Sequence, residues 1–195
     1  DTMKAQRPTQ NLITPVGVVC YPKLFEKGLS WDKKEPASHY TATLAFRVEA
    51  DLTDLENALA NVAKQFVDFK GMSFPKAFVD DFPNPKGSAK TPLQTDRSKL
   101  DKMGLDDNFD RFISLKSPNR IGLRDATDTR ELEPEEVYAG VLGRFDISVF
   151  PYFSSATNCG VTCWMNAFQK VGDGAQIGGR RVSFGVAEDV EMMEL

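Results

Sequence analysis

The stretch from Val141 to Val171 constrains this chain most, because two successive segments in it alternate with a period of two. In the first, Val141, Phe145, Ile147, Val149 and Phe153 share one face, and Leu142, Arg144, Asp146, Ser148, Phe150 and Tyr152 share the other. In the second, Val161, Cys163, Met165, Ala167 and Val171 oppose Thr162, Trp164, Asn166, Phe168 and Lys170. Side chains alternate across a strand, so both segments read as β-strands. The intervening SSATNCG supplies turn residues and makes them one long hairpin. Its polar face carries Phe150, Tyr152, Trp164 and Phe168 beside Arg144 and Lys170. Rings mixed with cations suit the stacking of unpaired bases and the holding of their phosphates. The same rings could instead pack beneath a loop or helix, and residue chemistry alone leaves both readings open.

Charge bears on that choice through its distribution. The formal net charge is -4, which argues against binding duplex nucleic acid by sheer positive charge. Residues 187–195 hold Glu188, Asp189, Glu191 and Glu194 with no base, and these four account for the whole net charge. The remainder is balanced and can carry a local basic face. Its 195 residues, 41% of them hydrophobic, suit one domain with an ample core. Three cysteines, Cys20, Cys159 and Cys163, form an odd set that fits a reduced, intracellular protein. No apolar stretch is long enough to span a membrane, and no positive-then-apolar signal opens the chain, so neither secretion nor membrane insertion is expected.

Strand pattern begins near Leu12 and runs to Tyr21, with Pro15 and Gly17 suggesting an edge or a bulge and Pro22 ending it. The loop that follows mixes Lys23, Lys27, Lys33 and Lys34 with Phe25 and Trp31, which either clamp nucleic acid or anchor the loop to the core. Tyr40 to Val48 alternates as a strand. Leu52, Leu55, Leu59, Val62, Ala63 and Phe66 then recur at helical spacing, with Asp51 or Thr53 as cap and Gly71 just past the end. Residues 70–108, broken by prolines, read as a long insertion with a short helix around Arg97 to Met103. A further strand from Phe109 to Lys116 opens a basic cluster of Arg111, Lys116, Arg120 and Arg124. These could supply phosphate contacts or pair with Asp110, Asp125 and Asp128.

Catalytic constellations are poorly represented. His39 is the only histidine, and Cys159 with Cys163 makes at best half a zinc site. Asp80-Asp81 and Asp106-Asp107 lack calcium-loop spacing, and GDGAQIGG at 172–179 lacks the Lys-Ser/Thr of a phosphate-gripping loop. The expectation is a protein that is not an enzyme, with no catalytic residue, metal or cofactor.

The segments ITPVGVVCYPKLFE at 13–26, YTATLAF at 40–46, LKSPNRIGLRD at 115–125, YAGVLGRFDISVFPY at 138–152 and VTCWMNAFQKVGDGAQIGG at 161–179 resemble, in order, the blocks of a phage-encoded single-stranded DNA-binding protein family. The resemblance implies a mainly β OB fold, a five-stranded, partly open barrel with one packed amphipathic helix and a long insertion, similar to the T7-type protein. It implies one domain over 11–186, with the insertion at about 70–108, and an acidic flexible tail over 187–195. The implied function is sequence-independent binding and protection of single-stranded DNA during phage replication or recombination, in the cytoplasm of the infected bacterium. The DNA-binding residues expected on this basis are Arg111, Lys116, Arg120, Arg144, Phe150, Tyr152, Trp164, Phe168 and Lys170. The acidic tail is similar to those that recruit replication proteins such as a polymerase or helicase and compete with DNA for the basic groove. Pairing of two copies is a further expected association. The alternative is an OB-fold interaction or structural module whose aromatic face is a subunit contact; a preference for RNA also stays open, since stacking hardly distinguishes the sugars.

Overall fold

The computed structural model describes residues 8–30, 32–70, 90–155 and 158–177, with residues 67–70 as helix backbone alone. The two alternating segments form the expected hairpin, β7 (Leu142–Ser155) and β8 (Asn158–Gly172), paired antiparallel along its whole length. A sheet face carrying Phe145, Ile147, Val149, Val161, Cys163 and Met165, all at most 2% exposed, must be covered by apolar partners. The remaining strands supply them by curling the sheet on itself. These are β1 (Gln10–Ile13), β2 (Gly17–Lys23), β3 (Tyr40–Arg47), β4 (Leu93–Gln94), β5 (Phe109–Ser117) and β6 (Gly122–Arg124).

The closed path runs β7, β2, β3, β5, β8 and back to β7, a ring of five strands. Every junction in it is antiparallel except β5 against β8, which meet in parallel at Lys116 and Trp164. This is the five-stranded, partly open barrel that the family resemblance implies. The gap beyond that single pair is filled by residues 90–94. There the Lys90 N–H donates to the Cys159 carbonyl at 2.9 Å and the Val161 N–H donates to the Lys90 carbonyl at 3.0 Å. Three residues on, β4 pairs with β5 at Leu93 and Ile113. The strap lies so close to β8 that a Cβ on Gly160, at φ +157°, would sit 2.1 Å from the Lys90 carbonyl oxygen.

The expected strand over 12–21 is two strands. Thr14 turns inward between them, and its hydroxyl accepts from the Phe145 N–H at 3.0 Å. β1 pairs with β7 at 146–149 and β2 with β7 at 142–143, so both line the same edge. Pro22 does not end β2; the strand shifts register between Cys20 and Lys23 through Tyr21, at φ +48°.

Helix α1 (Thr53–Lys70) forms where the spacing predicts it. Asp51 caps it, its carboxylate accepting from the Thr53 N–H at 3.0 Å and the Thr53 hydroxyl at 2.6 Å. Leu52, Leu55, Leu59, Val62, Ala63 and Phe66 form one buried stripe joined to the barrel core. The short helix expected in the insertion is α2 (Arg97–Lys102), capped by Asp96. It covers a second apolar cluster on the outside of the barrel, with Leu100, Met103 and Leu105 over Cys20, Ala45 and Phe112.

One expectation from the alternation is overturned. Asp146 pairs with Ala167 but Ile147 pairs with Met165, so Asn166 is an extra residue on β8. A bulge of this kind reverses which face the following residues occupy. Phe168 therefore points into the barrel, 1% exposed, with its ring centroid 4.8 Å from that of Phe145. It offers no ring to a base. Val171, expected inside, is 43% exposed. Gly143 makes room for the displaced ring, since a Cβ there would lie 2.3 Å from it. Phe168→Ala should lower the unfolding free energy by about 3–5 kcal/mol in urea denaturation; a loss below about 1 kcal/mol would place the ring outside the core.

Candidate nucleic-acid interface

Outward positions of four strands line a groove of about 620 Å³. β3 contributes Thr41 and Thr43, β5 contributes Ser114 and Lys116, β7 contributes Phe150 and Tyr152, and β8 contributes Thr162 and Trp164. The strap forms one wall through Lys90, Thr91 and Gln94. Strand register aligns these residues: Thr41 lies opposite Lys116, Lys116 beside Trp164, and Trp164 opposite Ser148. Trp164 is 36% exposed. Its orientation is set by the Phe150 ring at 5.2 Å, almost perpendicular, and by the His39 ring at 6.4 Å. Burial raises the Tyr152 hydroxyl above its ordinary pKa, so the phenol stays neutral and does not repel an anion. No described residue lining the groove carries a carboxylate, while Lys90 and Lys116 both do line it. Lys116 forms no ion pair with a described residue.

Of the nine residues expected to bind DNA, the fold thus brings Lys116, Phe150, Tyr152 and Trp164 together. The other five lie elsewhere. Phe168 is in the core. Arg111 pairs with Phe46 on the barrel-interior side of β5, the opposite face from Lys116. It donates to the Ala50 carbonyl at 3.1 Å and contacts Glu56 at 3.5 Å and Asp110 at 3.0 Å. Arg111 therefore ties β5 to the start of α1 and is not a free phosphate contact. Lys170 is held by Asp173 at 2.8 Å, over the Tyr138 ring. Arg120 stands past the end of β5 with its guanidinium 5.5 Å from the Phe25 ring centre, and Phe25 packs against the core as an anchor. Arg144 is exposed on β7, donating to Gln169 at 2.9 Å, six residues and about 20 Å along the strand from Phe150. Trp31, Arg180, Arg181 and the acidic tail lie outside the described residues.

Sequence reasoning missed the strap, whose Thr-Pro-Leu-Gln is too short to show a period. It also passed over Thr41, Thr43, Ser114 and Thr162. Their signal was present: small hydroxyl residues at the outward positions of strands keep a groove floor low and polar.

The family model described as the Enterobacter phage Enc34 ssDNA-binding protein matches residues 18–193. The single-stranded DNA-binding protein from bacteriophage Enc34 in complex with ssDNA is similar in structure, at a TM-score of 0.56 and 14% identity, covering 85% of this chain and 88% of that one. A C-terminal truncation of that protein gives a TM-score of 0.54 at 14% identity, covering 85% and 87%. The gp2.5 single-stranded DNA-binding protein of bacteriophage T7 gives 0.57 at 11% identity, covering 89% and 92%. At these identities the structural matches establish the fold, which is the OB fold. No curated protein sequence matches the chain.

Two of the four members of the basic cluster expected near the hairpin, Arg111 and Arg124, are paired with acids, whereas Lys116 and Arg120 form no ion pair with a described residue; Arg130, outside that cluster, is paired as well. Arg124 bonds Asp128 at 2.9 Å, and Arg130 grips Glu136 through two nitrogens at 2.6 and 2.9 Å. The Arg130 fork, followed by the Glu133 N–H, holds the Glu136 carboxyl at about 2, below its ordinary 4.5. The Thr129 N–H leads the bonds that hold Asp125 at about 2, below 3.8. A carboxyl whose folded pKa is depressed stabilises the fold above its unfolded pKa and ceases to do so as pH falls through the folded value. Thermal stability should therefore hold above about pH 4.5 and decline toward pH 2. Glu136→Gln should flatten that decline in melting curves taken at low salt, where such exposed pairs are least screened; an unchanged profile would show that the pair contributes nothing.

Proposed function

The chain belongs to the family of the Enterobacter phage Enc34 ssDNA-binding protein, and from that membership we propose that it binds and protects single-stranded DNA without sequence preference during phage replication or recombination. The observation that carries the reading to a particular surface is the groove: in a chain of net charge -4, the described groove lining holds three aromatic rings and two lysines and no carboxylate. Trp164, Phe150 and Tyr152 stack on bases, and Lys116 and Lys90 neutralise phosphates. Neither contact reads a base edge, which is why binding is indifferent to sequence. The threonine and serine hydroxyls of the floor are short enough to let bases reach the rings. Arg120 and Arg144 lie off this groove and serve the approach of DNA rather than its seating. The protein acts as a coat, not as an enzyme, and works in the cytoplasm of the infected bacterium.

The acidic residues at 187–195 compete with DNA for the groove and recruit replication proteins such as a polymerase or helicase; the likeness of such tails in other phage and bacterial single-strand binders supports this, as does the effective concentration of a tethered anion. Removing residues 187–195 should tighten binding of oligo-dT at low salt, and unchanged affinity would leave the tail only its partner role. For the groove itself, oligo-dT should quench tryptophan fluorescence. Trp164→Ala should weaken binding by about 1–3 kcal/mol, and Lys116→Gln should reduce the slope of log K against log salt by about 0.7. Wild-type protein that neither shifts an oligonucleotide nor changes its emission would refute the reading.

A further inference from the structure

The aromatic groove does not end at its own rim. A second hollow of about 230 Å³ shares Thr43 and Ser114 with it and continues toward α2, lined by Tyr21, Lys99, Lys102, Met103 and Phe112. Along β5 the outward positions descend from Lys116 through Ser114 to Phe112, and α2 lies over Phe112, so the helix forms the far bank of one continuous channel. The two lysines lie in the last turn of α2. Lys99 bonds the neutral Gln94 side chain, at 3.2 Å, and neither lysine has a carboxylate partner among the described residues. The acids of the helix are occupied: Asp96 caps its start, accepting from the Lys99 N–H at 3.2 Å, and Asp101 takes Arg97 at 2.9 Å. Arg97 also donates to the Phe109 and Leu105 carbonyls, at 2.7 Å each, and fixes α2 rigidly to the barrel.

Tyr21 is the more telling member. It is 47% exposed, and its backbone at φ +48° is one that a bulky residue seldom adopts. The bulge in β2 holds that conformation and swings the ring out over the channel, where its hydroxyl donates to the Lys102 carbonyl at 3.2 Å. A core position would not leave the ring open to solvent, and a plain strand would not need the turn. We propose that Tyr21, Lys99 and Lys102 form a second subsite for single-stranded nucleic acid, in which the strand leaving Trp164 crosses Thr43 and Ser114, stacks a base on Tyr21 and places phosphates against the α2 lysines. The inference rests on the function proposed above and extends its footprint to a helix that belongs to the insertion rather than to the barrel.

The test is a length series of dT oligomers from about four to about sixteen nucleotides, titrated into the full chain and into the double variant Lys99→Gln/Lys102→Gln. Both lysines are exposed, so the variant keeps the fold. Short oligomers should bind the variant as they bind wild type, whereas long ones should bind it with a salt slope smaller by about 1.4, the contribution of two phosphates. Tyr21→Asn, which tolerates the same backbone and removes the ring, should weaken the long oligomers about fivefold or more and leave the short ones unchanged. Parallel curves for wild type and variants at every length, or an equal loss at every length, would overturn the subsite. Wild type that binds no oligomer at all would overturn the groove as well, and so separates the two failures.

Discussion

The extra residue at Asn166 is the constraint on which the two faces of the hairpin depend. Between it and the hairpin tip, Val161, Cys163 and Met165 point inward and Trp164 outward; beyond it, Phe168 takes the inward place and meets Phe145. Without the bulge, Phe168 would face solvent and the core would lose its contact with Phe145. With it, one strand gives a ring to each side. The Asn166 amide donates to Asp146 and to the Ser148 hydroxyl, and Ser148 in turn donates to Asn11, so the irregular residue is itself tied across β7 to β1. A bulge held on both flanks is a fixed feature of the sheet, not a defect in it.

Charge is divided by residue type as well as by place. Arg97, Arg111, Arg124 and Arg130 each engage a carboxylate together with a backbone carbonyl, a use that suits a planar fork with five donors. The cations along the channel are Lys90, Lys99, Lys102 and Lys116, compact charges on flexible stems. Lys170 paired with Asp173, Arg120 over Phe25 and Arg144 bonded to Gln169 depart from this division. A flexible ammonium can follow a phosphate that has no fixed register, whereas a fork rewards a fixed one. The overall acidity of the chain therefore says little about the groove, because the four acids at 187–195 equal the net charge and no described residue lining the groove carries a carboxylate.

The longer strands and α1 were legible from period-two patterns and a clear apolar stripe, whereas their closure into a barrel was implied by the family resemblance and not by the patterns themselves. Even the short helix in the insertion was expected, because a structureless segment of that length is uncommon inside a domain. What escaped had no local signature. A bulge adds one residue and leaves composition untouched, so nothing in the order of residues near Asn166 announces that Phe168 turns inward. Arg111 and Lys116 look alike in a basic cluster, yet an odd number of positions separates them on one strand, which places them on opposite faces. Their parity with Ile113 and Ser114 carried that information. The strap was invisible for a different reason: it is defined by partners distant in sequence, Cys159 for Lys90 and Ile113 for Leu93.

All three cysteines lie inside, in or beside the strands that frame the groove, and none is in a disulfide. Burial pushes the Cys20 thiol up to about 12 and raises Cys159 and Cys163 as well. Thiolate, not thiol, is the reactive form, so at neutral pH these sulfurs are chemically silent. The thiols are therefore poor targets for alkylating reagents as long as the fold stays closed. A single cysteine introduced on the rim of the channel would be the accessible thiol, which lets a dye, a spin label or a cross-linker be addressed to that surface without first rebuilding the protein.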